Sequence, residues 1–297
     1  MSERCGFVAV IGAPNAGKST LVNALVGQKV AIVSPKAQTT RARLMGVAIE
    51  GDAQILLVDT PGIFAPRRRL DRAMVEAAWG GAGDADRTLL VVDAAKGIDA
   101  DVERILARLK GARAPLLLAL NKVDRVRKGR LLELAADLNA RLPFAATFMI
   151  SALTGDGVAD LKAQLARSVP PGPWHYPADE VSDAPLRLLA AEITREKIYD
   201  RLHDELPYQA AVETTAWLEQ KNGIRIEQTI FVERDSQKRI VLGKGGSMIK
   251  QVSTQARKEL SQLLERPVHL FLFVKVREHW GDDPARYRDL GLRFPKD

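Results

Sequence analysis

Two short stretches carry residue types suited to holding phosphate. The first is "GAPNAGKST", Gly12 to Thr20, which contains the pattern GxxxxGK[ST]. Glycines let successive backbone N–H groups converge on phosphate oxygens, and a following helix N-terminus adds a favourable dipole. Gly12, Ala13, Pro14, Asn15, Ala16, Gly17, Lys18, Ser19 and Thr20 are therefore candidate nucleotide contacts. Lys18 would reach the β- and γ-phosphates, and Ser19 would ligate Mg²⁺.

The base is read elsewhere. "NKVD", Asn121 to Asp124 with Lys122 between them, closes an apolar run. Guanine offers an N1–H and an exocyclic N2–H₂ donor, whereas adenine lacks that amine. A fixed carboxylate, Asp124, can accept both, while Asn121 helps bind the base and tether the loop. Paired buried polar groups of this kind reject the wrong base by about 10⁴-fold. The segment Ser151, Ala152 and Leu153 follows a later strand and can close over the base through a backbone N–H. "DTPG", Asp59 to Gly62, supplies Asp59 behind Mg²⁺ and the Gly62 N–H as a sensor of the γ-phosphate. Between Ser34 and Arg41, "SPKAQTTR" supplies Thr40 as the switch residue on Mg²⁺, with Thr39 as the alternative. Such segments are ordered by a γ-phosphate and released on hydrolysis. The expected catalytic set is Lys18, Thr40, Gly62 and Asn15, with GTP and GDP as ligands.

The second stretch is "RIVLGKGGSMIKQV", Arg239 to Val252. It lacks GxxxxGK[ST], so a second nucleotide is not expected there. Its GxxG, Gly243 with Lys244, Gly245 and Gly246, sits ahead of a basic amphipathic helix. The surrounding order is α-β-β-turn-α-β, which resembles a type II KH domain, where GxxG clamps single-stranded nucleic acid. Lys244 and Lys250 would neutralise phosphates, with Arg257 and Lys258 further along the helix. Ile240, Val241, Leu242 and Ile249 would frame an apolar groove, Val241 and Ile249 serving equally well as core. The other GxxG, Gly80 to Gly83 in "WGGAGDAD", reads as a loop.

These sites need elements to position them. "GFVAVIG", "AQILLVD", "RTLLVVD", "PLLLALN" and "TFMIS" read as buried strands without period-two alternation, as expected when both sheet faces are covered. Helical segments lie between several of them. The expected fold is an α/β phosphate-loop domain, a mostly parallel sheet with helices on both faces, over residues 1–170. "VPPGPWHYP" carries four prolines in nine residues and marks a linker, taken as 171–183. Beyond it, a long helix and the hairpin "AVETTAWLEQ-KNG-IRIEQTIFVER" open an α+β domain over 184–297, tail included.

Composition narrows the setting. The 297 residues carry a net charge of +7. From Arg234 to Arg277 there are ten Lys/Arg against three Asp/Glu, whereas Asp183 to Glu233 holds six against ten. The positive charge is thus concentrated around the second glycine turn. One cysteine, Cys5, excludes an internal disulfide and a cysteine zinc site. It reads as a plain strand-edge residue in a reducing cytosol. No run approaches the roughly 18 apolar residues of a membrane span.

Taken in order, "NAGKS", "QTTR", "DTPG", "NKVD" and "SALTGDGV", followed by the GxxG domain, resemble the translation-factor class of GTPases and, within it, the bacterial Era family. The resemblance runs from about Arg4 to Leu290. It implies slow GTP hydrolysis and binding near the 3′ end of small-subunit ribosomal RNA during maturation of the small ribosomal subunit. It also implies a cytoplasmic monomer with peripheral contact to the inner membrane. Ile63 stands where Ras-like enzymes carry the glutamine that orients water, and Asn15 resembles a group in which K⁺ supplies the missing positive charge. "DDPARYRDLGL" resembles the tail that grips RNA, ending here in Gly-Leu. Two other readings stay open: a GTP switch whose basic domain docks a protein or membrane partner, and an RNA-modifying enzyme. Against the latter, His203, His269 and His279 are scattered.

Overall fold

Alternate residues of the apolar runs enter two different cores, and this alternation organises the first unit. The computed structural model describes residues 3–34, 44–66, 69–182, 186–202, 210–278, 287 and 292–294. In the first unit β1 (Arg4–Ile11), β3 (Ala53–Asp59), β4 (Arg87–Asp93), β5 (Leu116–Asn121) and β6 (Ala146–Ile150) run parallel, with β2 (Leu44–Glu50) antiparallel at the edge. The order is β2-β3-β1-β4-β5-β6. Val8, Val10, Leu89, Val91, Leu117 and Ala119 face α1 (Lys18–Val26) and α5 (Val158–Ser168). Their neighbours Ala9, Ile11, Leu90, Val92, Leu118 and Leu120 face α2 (Arg69–Gly83), α3 (Ala100–Leu109) and α4 (Lys128–Arg141). Successive strand residues point to opposite faces, so both faces must be apolar. Each fully buried Leu or Val contributes about 1.5–3 kcal/mol. The strand-edge expectation for Cys5 gives way to a buried place in β1, beside Met45, Val47 and Leu56.

Two expectations about this unit change. Residues 44–50 form a strand that the sequence reading does not assign. Gly80 to Gly83 lie within α2 rather than in a loop. Gly81 packs near Val58 and Thr60, with space for no more than a small residue, and tertiary packing of this kind offsets glycine's poor helix propensity.

The proline-rich stretch is pinned along the first unit. The Gln54 carboxamide accepts the His175 and Tyr176 N–H groups at 2.9 and 3.1 Å and donates to the Tyr176 carbonyl at 2.8 Å. Trp174 Nε1 donates to the Asp52 carbonyl at 3.1 Å. The tail also departs from the expected boundary: Tyr287, Leu292 and Phe294 pack on Leu70, Ala73 and Met74 of α2. Tyr287 and residues 292–294 thus group with the first unit.

The second unit has a three-stranded sheet in the order β7-β8-β9. β7 (Ala211–Gln220) and β8 (Gly223–Val232) form the antiparallel hairpin, and β9 (Val268–Val276) runs parallel to β8. One face packs against α6 (Leu186–Arg201), α7 (Asp235–Leu242) and α8 (Ser247–Leu263) through Ile193, Ile198, Ile226, Ile230, Val252 and Leu260. Val33 also belongs here, its N–H donating to Glu196 Oε1 at 2.8 Å.

Candidate functional site

The first loop is built by close backbone approaches that exclude side chains. A Cβ on Gly12 would lie 2.3 Å from the Val91 carbonyl oxygen, and one on Gly17 would lie 2.2 Å from Asn121 Nδ2. Gly17 is left-handed, with φ 95°, and caps α1, whose first turn holds no acidic residue. The helix therefore presents its positive end to the loop without internal neutralisation. Asn15 is also left-handed, at φ 62°. Ala13 and Ala16 anchor the loop in the core, and Thr20 is half-buried on α1.

Lys18 is buried and donates to the Gly12 and Ala13 carbonyls at 3.1 and 3.0 Å. Ser19 Oγ donates to Asp59 Oδ2 at 2.9 Å, with Asp59 fully buried. The "DTPG" segment is strapped to the loop. Thr60 Oγ1 donates to the Val10 carbonyl at 2.8 Å, and the Ile63 N–H donates to the Gly12 carbonyl at 3.1 Å. A Cβ on Gly62 would lie 3.0 Å from Pro14 Cα, so any larger residue there must displace the loop by a few tenths of an ångström. Ile63 is buried as core, which leaves no polar group at that position to orient water.

The candidate base-reading residues are tied to this loop by one side chain. Asn121, 2% exposed, donates from Nδ2 to the Ala16 carbonyl at 2.8 Å. Its Oδ1 accepts the Lys122 N–H at 2.8 Å and the Ala152 N–H at 2.9 Å. Three segments thus meet on one carboxamide. Asp124 sits on the short 3₁₀ turn Val123–Arg125, half-buried, with Arg125 Nε 3.7 Å from its Oδ2. Ser151 is buried and Leu153 exposed.

Sequence reasoning missed Asp93. Lys122, left-handed at φ 67°, donates from Nζ to the Asn15 carbonyl at 2.6 Å and to Asp93 Oδ2 at 2.7 Å. Asp93 closes β4 and pairs in register with Asn121. Its only signal in the sequence is that "RTLLVVD" ends on a carboxylate where "PLLLALN" ends on an amide. Thr40, Thr39, Arg67 and Arg68 lie outside the described residues.

Burial lowers the Lys18 amine from 10.5 to about 8, against the opposing pull of the Asp59 carboxylate. The unfolded chain keeps this proton up to its ordinary pKa, so between about pH 8 and 10.5 it binds more protons than the folded chain. Stability of the nucleotide-free protein therefore gains from Lys18 as pH rises through that window. A bound polyphosphate favours the charged amine and so takes up a proton. Above pH 8 the GDP association constant is expected to fall, by up to about tenfold per unit, with a binding enthalpy that depends on buffer ionisation. Lys18→Met removes that buffer dependence; calorimetry in two buffers at pH 9 checks both.

The second site lies between α7 and α8. Gly243, Gly245 and Gly246 are left-handed, at φ 73°, 59° and 77°. A Cβ on Gly243 would lie 2.7 Å from Met248 Cβ, whereas Gly245 and Gly246 face open space. Lys244, Lys250, Arg257 and Lys258 are exposed. An open groove of 240 Å³ runs between α8 and β9, lined by Ile249, Lys250, Ser253 and residues 270–273. That is below the roughly 300–1,000 Å³ of pockets enclosing small ligands. Val241 belongs to the core at 1% exposure, and Ile240 faces solvent at 54%. A helix turns its side chains about 100° per residue, so Ile240, Val241 and Leu242 of α7 cannot all face one groove. Ile249 does both jobs, packing on the core and lining the groove. Of the histidines, His269 is exposed on β9, while His203 and His279 lie outside the described residues.

Comparison with known proteins covers both units. The family described as "50S ribosome-binding GTPase" matches residues 7–122, and the KH domain family matches residues 205–281. GTPase Era of Bradyrhizobium sp. (strain BTAi1) is 64% identical over 295 residues, spanning 99% of this chain and 96% of the relative. GTPase Era of Rhizobium meliloti (strain 1021) is 64% identical over 294 residues, spanning 99% and 94%. The crystal structure of Era in complex with MgGDPNP and nucleotides 1506–1542 of 16S ribosomal RNA is 38% identical, with a TM-score of 0.92 over 97% of this chain and 99% of that one. A variant of Aquifex aeolicus Era bound to GDP.AlF4- gives the same identity, TM-score and coverage.

Proposed function

The chain belongs to the Era family of GTPases, and from that premise we propose a GTP-hydrolysing switch that binds the 3′ end of 16S ribosomal RNA during assembly of the small ribosomal subunit. The observation that carries this is the solved relative holding MgGDPNP and 16S RNA together. Here the same fold presents a tethered guanine-reading segment and, in its second unit, an open glycine turn beside a basic helix.

In hydrolysis a water oxygen bonds to the γ-phosphorus while the bond to the β–γ bridging oxygen breaks, giving GDP and phosphate. Lys18 leaves its two backbone carbonyls for the β- and γ-phosphates and places a buried positive charge where charge accumulates. The Gly62 N–H, held against Pro14, faces the γ-phosphate, and Asp124 and Asn121 hold the base. Ser19 and Asp59 suit Mg²⁺, because they offer a hydroxyl and a carboxylate beside the phosphate loop. Mg²⁺ commonly keeps several waters and leans on substrate phosphates, so few protein ligands would be needed. Mg²⁺ would neutralise charge on the β- and γ-phosphate oxygens, with Thr40 completing its protein ligands. With Ile63 apolar, K⁺ held near Asn15 would supply further positive charge. Replacing K⁺ by Na⁺ in the hydrolysis assay tests that part.

Gly243, Lys244, Gly245 and Gly246 clamp the RNA backbone, Lys250 and Arg257 neutralise its phosphates, and unstacked bases enter the α8–β9 groove. In this reading the protein acts as a cytoplasmic monomer with peripheral contact to the inner membrane. Among the described residues no helix is long and apolar enough to cross a membrane.

The test compares binding of a 16S 3′-end oligonucleotide and a scrambled control, with a GTP analogue or GDP, in near-physiological salt. Gly246→Asp points a carboxylate into open space at the proposed phosphate path and leaves the packed Gly243 untouched. Selective binding with the analogue is expected, falling about tenfold or more in the variant, the scale of one lost phosphate contact plus a like charge. Weak binding that is equal in every arm and vanishes with salt would assign the basic domain to a protein partner.

A further inference from the structure

β9 divides its side chains between two faces. Val268, Leu270, Leu272 and Val274 turn toward the helices. His269, Phe271, Phe273 and Lys275 alternate with them on the opposite, outer face, the two rings 42% and 48% exposed. In register, Arg225 of β8 lies beside His269 and Glu227 beside Phe271. The Arg225 guanidinium stands 4.4 Å over the Phe271 ring and pairs with Glu227 Oε1 at 2.6 Å. Arg225 and Glu227 thus neutralise each other beside Phe271, and Lys275 follows Phe273 on the same face.

We propose that this outer face is a second single-strand platform, on which bases of an RNA strand leaving the α8–β9 groove stack on Phe271 and Phe273. The inference rests on the RNA-binding reading above. Continuity supports it. β9 is the edge strand of its sheet, and its residues 270–273 also line the groove. A strand crossing that edge meets the rings directly. Geometry supports it as well, because residues i and i+2 of a strand lie about 6.6–6.8 Å apart on one face. Aromatic residues on an open sheet stack successive bases in this way in other RNA-binding modules. The charge also selects the occupant. A docked protein is sealed by an interface core depleted of charge, whereas the Arg225–Glu227 ion pair and Lys275 border these rings.

The test uses the full chain with a GTP analogue and fluorescence anisotropy. One RNA has four nucleotides, enough for the glycine turn and groove. A second extends it by four nucleotides, and a third carries a scrambled extension. Each stacked base is worth about 5- to 150-fold in affinity, so the extension is expected to tighten wild-type binding by about tenfold or more, with little dependence on its sequence. The double variant Phe271→Ser, Phe273→Ser is expected to lose that gain; because both residues also line the groove, the gain is read within each protein, as the ratio of extended to four-nucleotide affinity, which falls to about one in the variant. Because both rings adjoin the groove, 4-thiouridine placed in the extension adds a direct readout, crosslinking to the β9 peptide of the wild type. The proposal is overturned if the extension gives no gain, if the gain persists in the double variant, or if the crosslinks fall elsewhere. Failure of the wild type to bind even the four-nucleotide RNA would instead sink the RNA reading itself.

Discussion

Replacing Asp124 by asparagine is expected to lower affinity for GDP and GTP by about 10³–10⁴-fold and to make xanthosine nucleotides the better ligands. In the proposed role the carboxylate would accept guanine's N1–H and N2–H₂ together. An amide turns one of those acceptors into a donor, which then faces the guanine amine and leaves buried donors unpaired. Xanthine carries a carbonyl where guanine has the amine, so the same amide donor finds a partner. The turn that carries Asp124 follows the left-handed Lys122, and Lys122 is fixed by Asp93 and Asn15, so the side chain starts close to its working position. Titration of fluorescent GDP and XDP measures both affinities. A guanine affinity within threefold of wild type would remove Asp124 from the base-reading role.

Asn121→Ala should act on stability as strongly as on binding. The carboxamide makes three buried hydrogen bonds, to Ala16, Lys122 and Ala152. Truncation leaves their backbone groups without that partner, each orphan costing about 1–3 kcal/mol. A loss of about 3–5 kcal/mol is expected, since some of those groups will recruit water. The thermal midpoint of the first unit should fall by roughly 6–20 °C. Asn121→Asp separates the contributions, because it keeps the two acceptor contacts and loses only the donor to Ala16. Thermal unfolding of both variants without nucleotide is the check. A shift below about 2 °C for the alanine variant would show that the three segments are held by other contacts.

Much of both sites was legible in the linear sequence because the chemistry is local. GxxxxGK[ST], "DTPG" and "NKVD" place their working residues within one turn of a strand end, and apolar runs of five to seven residues mark those strands. Ala53–Asp59 and Arg87–Asp93 have the boundaries read from the sequence. The hairpin at "KNG" is likewise written in its turn residues. Less legible was β2, whose "LMGVAIE" interrupts its apolar run with Gly46 and pairs on one side only. Gly80–Gly83 misled for a related reason: local propensity favours a loop, and burial of α2 overrides it.

What the sequence determined by itself was which short motifs carry residue types suited to a ligand, and that the chain changes character after "VPPGPWHYP". Only the tertiary structure decided which distant groups complete those motifs. Asp93, Lys122 and Asn15 form one unit across gaps of 29 and 107 residues. Gln54 holds a stretch 121 or more residues away. Val241 belongs to the core because helical rotation turns it inward, away from its exposed neighbour Ile240. The paired rings of β9 become a surface only because no further strand or helix covers that side of the sheet among the described residues. Spacing along the chain fixes what lies within a turn or a strand. Partners separated by a hundred residues are chosen by the packing of the sheet, which the local pattern does not encode.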